Sequence, residues 1–200
     1  MNGKTALLVI DMQNDFCEGG ALAVDGATSI LSVVNSLIAG HDHVILTQDW
    51  HPAGHSSFAS EHQGKSPFET VAMPYGEQTL WPDHCLQGSQ GAEFHPSLKW
   101  TKAEMIVRKG FRPEIDSYSA FRENDRQTPT GLAGYLRERQ IANLVLCGLA
   151  FDYCVAWSAL DARRFGFSAR VVEQATAAID LDGSKGRMRQ AMEEAGVTFA

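Results

Sequence analysis

The sequence predicts an α/β fold: a three-layer, doubly wound, mainly parallel sheet of about six strands with helices on both faces. Short runs rich in valine, isoleucine and leucine recur along the chain, and such continuous apolarity is typical of strands buried on both faces. Segments with helical periodicity lie between several of these runs, and this alternation implies parallel strands joined by helical crossovers. A length of 200 residues suits one domain, which we expect to span 1–200.

The predicted elements follow one another in chain order. The strands are expected at 5–12, 43–49, 103–110, 143–150 and 168–175, with a last one in the closing residues "VTFA". The helices are expected at 27–39, 130–139, 153–165 and 184–195. Ligands of such sheets bind at the carboxyl ends of the strands, so the residues that follow the strands are the first functional candidates.

Residues 50–100 interrupt the alternation. This segment is rich in proline and glycine and shows little periodicity. A connection this long inside a compact domain is usually either functional or disordered. Its aromatic residues and histidines favour the functional case, and we expect it to bind a metal and the substrate.

Composition and charge exclude several classes of protein. Hydrophobic residues make up 44% of the chain and charged residues 20%, which is ordinary for a globular protein. The net charge of −7 argues against nucleic-acid binding, which needs a basic face. No apolar run approaches the roughly 20 residues that cross a bilayer, and the N-terminus resembles a strand rather than a signal peptide. We therefore expect a cytoplasmic protein without membrane or nucleic-acid partners, either a monomer or a homo-oligomer.

Three strand ends carry reactive side chains. Asp11 follows the first strand, and Lys109 lies at the end of the third. After the fourth strand, Asp152 is a suitable N-cap, which would place Cys154 in the first turn of the next helix. There, unpaired N–H groups and the helix dipole would stabilise a thiolate or bind an oxyanion. Taken singly, Asp11 could be a turn or capping residue, Lys109 a solvated lysine and Cys154 an inert cysteine. Together, the three side chains supply a base, a charge and a nucleophile.

The stretch "TQDWHPAGHSSF" suggests a metal site. Asp49 and His51 are two residues apart, so on an extended segment they face the same side and can bind one cation. His55 follows after a proline and a glycine, which argue against a helical HExxH-type zinc site. His55 could be a further ligand or an outer group, and Ser57 could bond a metal-bound water. A polar loop with incidental histidines is the alternative.

Six motifs occur in the order seen in the isochorismatase-like cysteine hydrolases, which the sequence resembles over nearly its whole length. They are "LLVIDMQNDF", "QDWHPAGHSSF", "WPDHC", "RKG", "DSYSAF" and "GLAFDYCV". The resemblance is strongest to the nicotinamidases of that superfamily. The pairing of "DWHP" with "WPDHC" is its most specific part, because many members lack the metal ligands. The implied fold agrees with the strand–helix alternation.

The resemblance implies a role for each motif. It implies an Asp11–Lys109–Cys154 triad, and it selects His84 as the third metal ligand beside Asp49 and His51. Two histidines and an aspartate suit one divalent ion, Zn²⁺, Fe²⁺ or Mn²⁺. The remaining implied features are an oxyanion hole of backbone N–H groups at Ala150 and Cys154, a cis peptide at Leu149–Ala150, and a pocket lined by Phe16, Trp81, Tyr118 and Ala150.

The implied activity is hydrolysis of a small aromatic amide. A cysteine thioester mechanism would convert nicotinamide to nicotinate and ammonia in NAD salvage, with pyrazinamide as a further substrate and the metal holding the ring nitrogen. Three alternatives stay open: an amidase for another amide, a metal-water hydrolase in which Cys154 is incidental, and a non-catalytic binder. Phe151 stands where the family often has threonine, and Phe111 is also bulky. Either could alter substrate preference if it reaches the cavity.

Overall fold

The computed structural model describes residues 3–200. Its strands are β1 (Lys4–Ile10), β2 (His43–Asp49), β3 (Thr70–Met73), β4 (Gly76–Thr79), β5 (Met105–Lys109), β6 (Ile141–Leu149), β7 (Ser168–Ala177) and β8 (Thr198–Phe199). Six of them form the central sheet in the order β5-β2-β1-β6-β7-β8. Every neighbouring pair in this sheet is parallel. The predicted fold class is therefore confirmed.

Four helices cover the two faces of the sheet. They are α1 (Leu31–Gly40), α2 (Leu132–Glu138), α3 (Ala156–Arg164) and α4 (Ser184–Glu194). Helix α1 packs on one face together with apolar residues of the irregular segment, while α2, α3 and α4 pack on the other. Alternate residues of β1 contribute to the two cores, since successive side chains of a strand point to opposite faces.

The sheet order places a crevice between β1 and β6. The chain winds outward from β1 in both directions, and doubly wound folds bind ligands where the order reverses. Gly148 near the end of β6 allows the two strands to approach there. Its φ is +108°, and a Cβ atom at this position would lie 2.0 Å from the carbonyl oxygen of Ile10. The two strand ends can therefore carry adjacent functional groups.

The helix predicted at 153–165 begins differently from the prediction. A π-helical turn spans Phe151–Val155, and α3 follows directly. Asp152 does not cap it: its carboxylate accepts hydrogen bonds from the backbone N–H groups of Ile179 (3.0 Å) and Asp180 (2.8 Å) and from the Ser184 hydroxyl. The predicted N-cap role of Asp152 is wrong, because its side chain ties the turn to the segment between β7 and α4 instead.

The irregular segment contains a hairpin that the sequence pattern does not reveal. β3 and β4 pair antiparallel and stand apart from the main sheet. Most of their side chains are exposed or half-buried, but Gln78 is fully buried. Among residues 3–200, no helix is both long and apolar enough to cross a membrane.

Candidate active site and metal site

Lys109 is the centre of a buried polar cluster at the carboxyl edge of the sheet. Its side chain is 1% exposed. Its Nζ lies 2.8 Å from Asp11 Oδ2 and 3.3 Å from Cys154 Sγ. It also donates to the carbonyl oxygen of Ser117 at 3.0 Å and contacts the carboxylate of Asp49. One ammonium group therefore contacts the acid, the thiol and a candidate metal ligand. The sequence predicted the acid and the thiol for a catalytic triad and the ligand for a separate metal site.

The position of Asp11 is fixed by the neighbouring strand. Asp11 follows β1 with a φ of +47°. Thr47 on β2 accepts a hydrogen bond from the Asp11 backbone N–H at 3.1 Å and donates one to Asp11 Oδ1 at 2.6 Å. The other oxygen, Oδ2, lies 2.8 Å from Lys109 Nζ.

Cys154 lies in the π-helical turn beside Asp11 and Lys109. A carboxylate oxygen of Asp11 and Cys154 Sγ lie within 4.8 Å of each other. Burial raises the pKa of the Cys154 thiol well above its usual value, and Lys109 opposes this only in part. The expected stabilisation of a thiolate by the helix start is therefore outweighed, because the buried side chain loses the hydration that favours its charged form.

Lys109 keeps its charge in spite of its burial. Desolvation lowers the pKa of its ammonium group, but the carboxylates of Asp11 and Asp49 outweigh that effect and raise the pKa well above its usual value. The thiol is thus protonated beside a charged lysine. A base is required to generate the nucleophile, and Asp11 is within reach.

A second part of the site groups Asp49, His51 and His84. One ligand atom from each lies within 4.8 Å of the others. Asp49 Oδ2 is 3.8 Å from His51 Nε2 and 4.0 Å from His84 Nε2. All three side chains are buried. The structure therefore brings His84, which the family resemblance selected, to the pair that strand geometry predicted.

The hydrogen bonds of the two histidines leave one nitrogen of each ring available. His51 Nδ1 donates to the carbonyl oxygen of Gly110 and His84 Nδ1 to that of Pro82, both at 2.8 Å. Carbonyl groups that fix the ring in this way are typical of metal-binding histidines. Burial lowers the pKa of both imidazoles, so both are neutral, as metal ligands must be. The donor set fits a divalent ion such as Zn²⁺, Fe²⁺ or Mn²⁺.

Gly110 allows His51 to take this position. Its φ is +66°, and a Cβ atom would lie 2.3 Å from Cε1 of the His51 ring. The glycine in the "RKG" motif therefore has two functions. It leaves room for the imidazole and presents the carbonyl oxygen that orients it.

His55 and Ser57 lie beside this group but bond to each other. His55 Nδ1 is 2.7 Å from Ser57 Oγ, and its Nε2 is 3.3 Å from the carbonyl oxygen of Ile115. The His55 ring packs against His51, with the ring centroids 4.3 Å apart. His55 also groups with His51 and Asp116. Both ring nitrogens of His55 thus have protein partners, which favours the outer position that the sequence left open.

A pocket of about 320 Å³ opens above the two groups. Its walls include Cys154, Asp49 and His84. The predicted pocket residues Phe16, Trp81, Tyr118 and Ala150 all line it. The peptide between Leu149 and Ala150 is cis, as the resemblance implies. The thiol and the candidate metal ligands therefore face one cavity.

Four further lining residues were missed in the sequence: Leu22, Asp116, Tyr153 and Ile179. Asp116 and Tyr153 lie inside motifs that were singled out, "DSYSAF" and "GLAFDYCV", so their position could have been inferred from those motifs. Leu22 and Ile179 belong to loops without a pattern. No local signal identifies them, because only the tertiary fold brings these loops to the strand ends.

Gln78 of the hairpin holds two of the lining residues. Its Nε2 donates to Asp116 Oδ2 at 2.8 Å and to the Tyr118 hydroxyl at 3.0 Å. Its Oε1 accepts from Tyr75 and Asn124. A fully buried amide with partners on both sides fixes the wall of the pocket.

Neither of the two bulky phenylalanines lines the pocket. Phe151 is buried in the core on the side of α2, α3 and α4, with its ring centroid 6.4 Å from that of Phe199. Phe111 is 44% exposed and lies under the guanidinium of Arg112. Neither side chain reaches the cavity, so neither is in a position to alter substrate preference.

The fold and this site define a class of protein, a hydrolase built on a doubly wound parallel sheet whose buried thiol and polar cluster lie at the switch point of that sheet. The sequence pattern of the isochorismatase domain matches residues 5–199, and the chain belongs to this family. It is 53% identical over 192 residues to a nicotinamidase of Acinetobacter baylyi, covering 96% of this chain and 90% of that one.

Solved structures agree with this assignment. A nicotinamidase and pyrazinamidase of Acinetobacter baumanii superposes with a TM-score of 0.97 at 51% identity, covering 100% of this chain and 96% of that one. A pyrazinamidase of Pyrococcus horikoshii, solved in complex with zinc, gives a TM-score of 0.79 at 32% identity and covers 98% of each chain.

Proposed function

We propose that the protein is a metal-containing cysteine amidohydrolase that converts nicotinamide to nicotinate and ammonia. The observation that carries the proposal is the position of Lys109 Nζ, which contacts Asp11, Cys154 and Asp49 in one buried cluster below the pocket. Similarity to named nicotinamidases over nearly the whole chain supports the same substrate. Pyrazinamide, another flat aromatic amide, is a second substrate.

In the proposed first step, the carboxylate of Asp11 takes the proton of Cys154 and becomes neutral, and the ammonium of Lys109, 3.3 Å from Sγ, stabilises the resulting thiolate. Sγ then attacks the carboxamide carbon. The backbone N–H groups of Ala150 and Cys154 bind the negative oxygen of the tetrahedral intermediate. Asp11 gives its proton to the amide nitrogen, ammonia leaves, and an acyl group remains on Sγ as a thioester.

In the proposed second step, water attacks the thioester carbon. Asp11 takes a proton from this water and returns a proton to Sγ when the thiol departs. The acid product loses its carboxyl proton to solvent and is released as nicotinate, and the free thiol is restored. Each proton transfer uses the same carboxylate, which Thr47 keeps oriented.

Asp49, His51 and His84 would hold one divalent ion beside this cluster, where Asp49 and His84 line the same pocket as Cys154. When bound, the ion supplies a Lewis-acid contact that orients the ring nitrogen of the substrate. Phe16, Trp81 and Tyr118 enclose the flat ring. His55 and Ser57 support His51 from outside. We further propose that residues 1–200 form a single cytoplasmic domain in which the segment 50–100 supplies His84 and Trp81.

The test is ammonia release from nicotinamide by the wild type and by Cys154→Ala, with the metal content of both measured. We expect turnover to fall by about 10³-fold or more in Cys154→Ala while one metal per chain remains. A hydrolase that uses metal-bound water would keep its turnover without the thiol. Retained turnover in Cys154→Ala would therefore overturn the cysteine mechanism.

A further inference from the structure

A second cavity lies at the C-terminal end of α3. It is open to solvent, with about 510 Å³ of space in and above it, and is lined by Arg122, Arg126, Asp161, Arg164 and Phe165. Within residues 3–200, none of these residues lines the substrate pocket. The proposed amide hydrolysis therefore does not involve this cavity.

The arginines of the cavity are held in defined positions. Asp161, which is buried on α3, pairs with Arg164 Nη1 at 3.0 Å and lies 3.8 Å from Arg126 Nη1. The guanidinium of Arg126 stacks over Trp157, 3.7 Å from the ring centroid, and that of Arg122 lies 4.7 Å from the centroid of Phe165. Stacking and ion pairing fix the planes of these groups in advance of any ligand.

Two guanidinium nitrogens of the cavity lack hydrogen-bond acceptors. Arg122 Nε and Arg126 Nη1 are buried without a partner in the described part of the chain, and so is the Asp161 Oδ2 atom that faces Arg126. A buried donor without an acceptor is costly, and a bound ion or water is the usual explanation. Arg126 Nη1 and Asp161 Oδ2 lie 3.8 Å apart, too far for a hydrogen bond, and Arg122 Nε has no acceptor among the described residues. An acceptor group that binds in the cavity beside Arg122 and Arg126 would pair with both donors.

The charge balance of the cavity favours an anion. Three arginines face one aspartate, so the cavity carries a net charge of +2, whereas the chain as a whole carries −7. Burial lowers the pKa of Arg126 below its usual value; the carboxylate of Asp161 opposes this effect and the nearby Arg164 adds to it. The single carboxylate of Asp161 thus leaves positive charge uncompensated.

We propose that this cavity binds a phosphate dianion through Arg122, Arg126 and Arg164. The guanidinium fork matches the oxygens of a tetrahedral phosphate and is more weakly hydrated than an ammonium group. Asp161 lies between the guanidinium groups of Arg126 and Arg164 and keeps them apart. The volume and the Phe165 wall admit either inorganic phosphate or the phosphate group of an organic phosphomonoester, and the two share the chemistry that the arginines recognise.

The test uses the full-length protein and two probes, inorganic phosphate and AMP, titrated separately at constant ionic strength against sodium chloride. Trp157 lies under Arg126 and reports occupancy by its fluorescence. We expect a saturable fluorescence change with at least one probe and a higher Tm in its presence. Arg164→Gln should weaken binding about tenfold or more, and because this side chain is 61% exposed, the variant should fold normally.

Arg139→Gln is the matched control. Arg139 is also a half-exposed arginine paired with an acid, Glu104, at 3.7 Å, but it lies outside the cavity, so its replacement should leave binding unchanged. Trp157→Phe should abolish the fluorescence change and keep the rise in Tm. Saturation by AMP alone would identify a phosphomonoester as the ligand. The proposal is overturned if neither probe saturates, if Arg164→Gln binds like the control, or if Trp157→Phe keeps the fluorescence change.

Discussion

At the scale of single residues, the charge of Lys109 contacts both the proposed triad and the proposed metal site. Its ammonium group pairs with the carboxylates of both Asp11 and Asp49, and all three residues are buried. Removing one partner of a buried ion pair is strongly destabilising, because the remaining charge has neither solvent nor counterion. The proposed triad and the proposed metal site are therefore coupled through a single side chain.

Lys109→Met should lose both activity and stability. We expect turnover to fall about 100-fold or more, because the charge that stabilises the reacting groups is gone. The free energy of unfolding should fall by about 3–5 kcal/mol, measured by urea denaturation. Lys65→Met is the control. Lys65 forms an exposed pair with Glu69 at 3.7 Å, so its replacement should change little; equal effects of the two substitutions would contradict the argument.

Replacing Gly148 tests whether the close approach of β1 and β6 matters for stability and activity. An alanine there would need a φ near +108° and would bring its Cβ within 2.0 Å of the Ile10 carbonyl oxygen. We expect Gly148→Ala to destabilise the fold by about 1–3 kcal/mol and to lower activity by shifting Asp11 against Cys154.

Gly134→Ala is the matched control for Gly148→Ala. Gly134 lies within α2, and an added Cβ would have nothing within 4 Å. Alanine should stabilise this helix by about 0.5–1 kcal/mol. The Tm values of both variants, measured by circular dichroism, should therefore move in opposite directions from that of the wild type. A shift in the same direction would show that the close approach at Gly148 does not matter.

At the scale of elements, the hairpin β3–β4 acts on the pocket through one side chain. Gln78→Leu would remove the donor that reaches Asp116 Oδ2 and the shorter of the two bonds to the Tyr118 hydroxyl, which would keep only that from Trp81 Nε1 at 3.3 Å. We expect KM for nicotinamide to rise about fivefold to tenfold, with a smaller change in kcat. The substitution loosens the pocket wall and leaves the residues of the proposed triad in place. Steady-state kinetics would measure the split.

Gln190→Leu is the control for the hairpin prediction. Gln190 is an exposed residue of α4 that bonds only to Glu194 among the described residues, at 2.9 Å. Its replacement should leave KM unchanged. If Gln78→Leu instead lowered kcat with KM constant, the hairpin would be acting on the proposed triad rather than on the substrate-binding wall.

The main sheet could be predicted from the sequence, whereas the hairpin and the π-helical turn could not. Strands buried on both faces leave continuous apolar runs, and each of the six runs corresponds to an observed strand. The hairpin is short and mostly solvent-exposed, so it has no hydrophobic pattern to detect. Asp152 is a suitable helix cap in sequence, but its carboxylate accepts hydrogen bonds from the Ser184 hydroxyl and from the backbone N–H groups of Ile179 and Asp180 instead. Local propensity does not encode such distant contacts.

At the scale of the whole molecule, the topology assembles the site from remote parts of the chain. Asp11 and Cys154 follow β1 and β6, which are neighbours in the sheet, and Asp49 and Lys109 end β2 and β5. The sequence could predict these positions because carboxyl ends of parallel strands share one edge. His84 lies in the irregular segment, where no periodicity applies. Only the family resemblance pointed to it, and the folded loop brings it within 4.0 Å of Asp49.

Metal binding should therefore stabilise the whole fold, because the ligands come from a strand end and a distant loop that the unfolded chain does not hold together. A ligand at 100 times its Kd stabilises a protein by about 2.7 kcal/mol, which raises the Tm of a chain this size by roughly 5–10 °C. Calorimetry of chelated protein before and after addition of Zn²⁺ or Mn²⁺ should show this rise. His84→Ala should abolish it, whereas His95→Ala, a half-buried histidine of the same segment outside the ligand group, should keep it. An equal rise in His84→Ala would mean that the irregular segment does not contribute to the metal site.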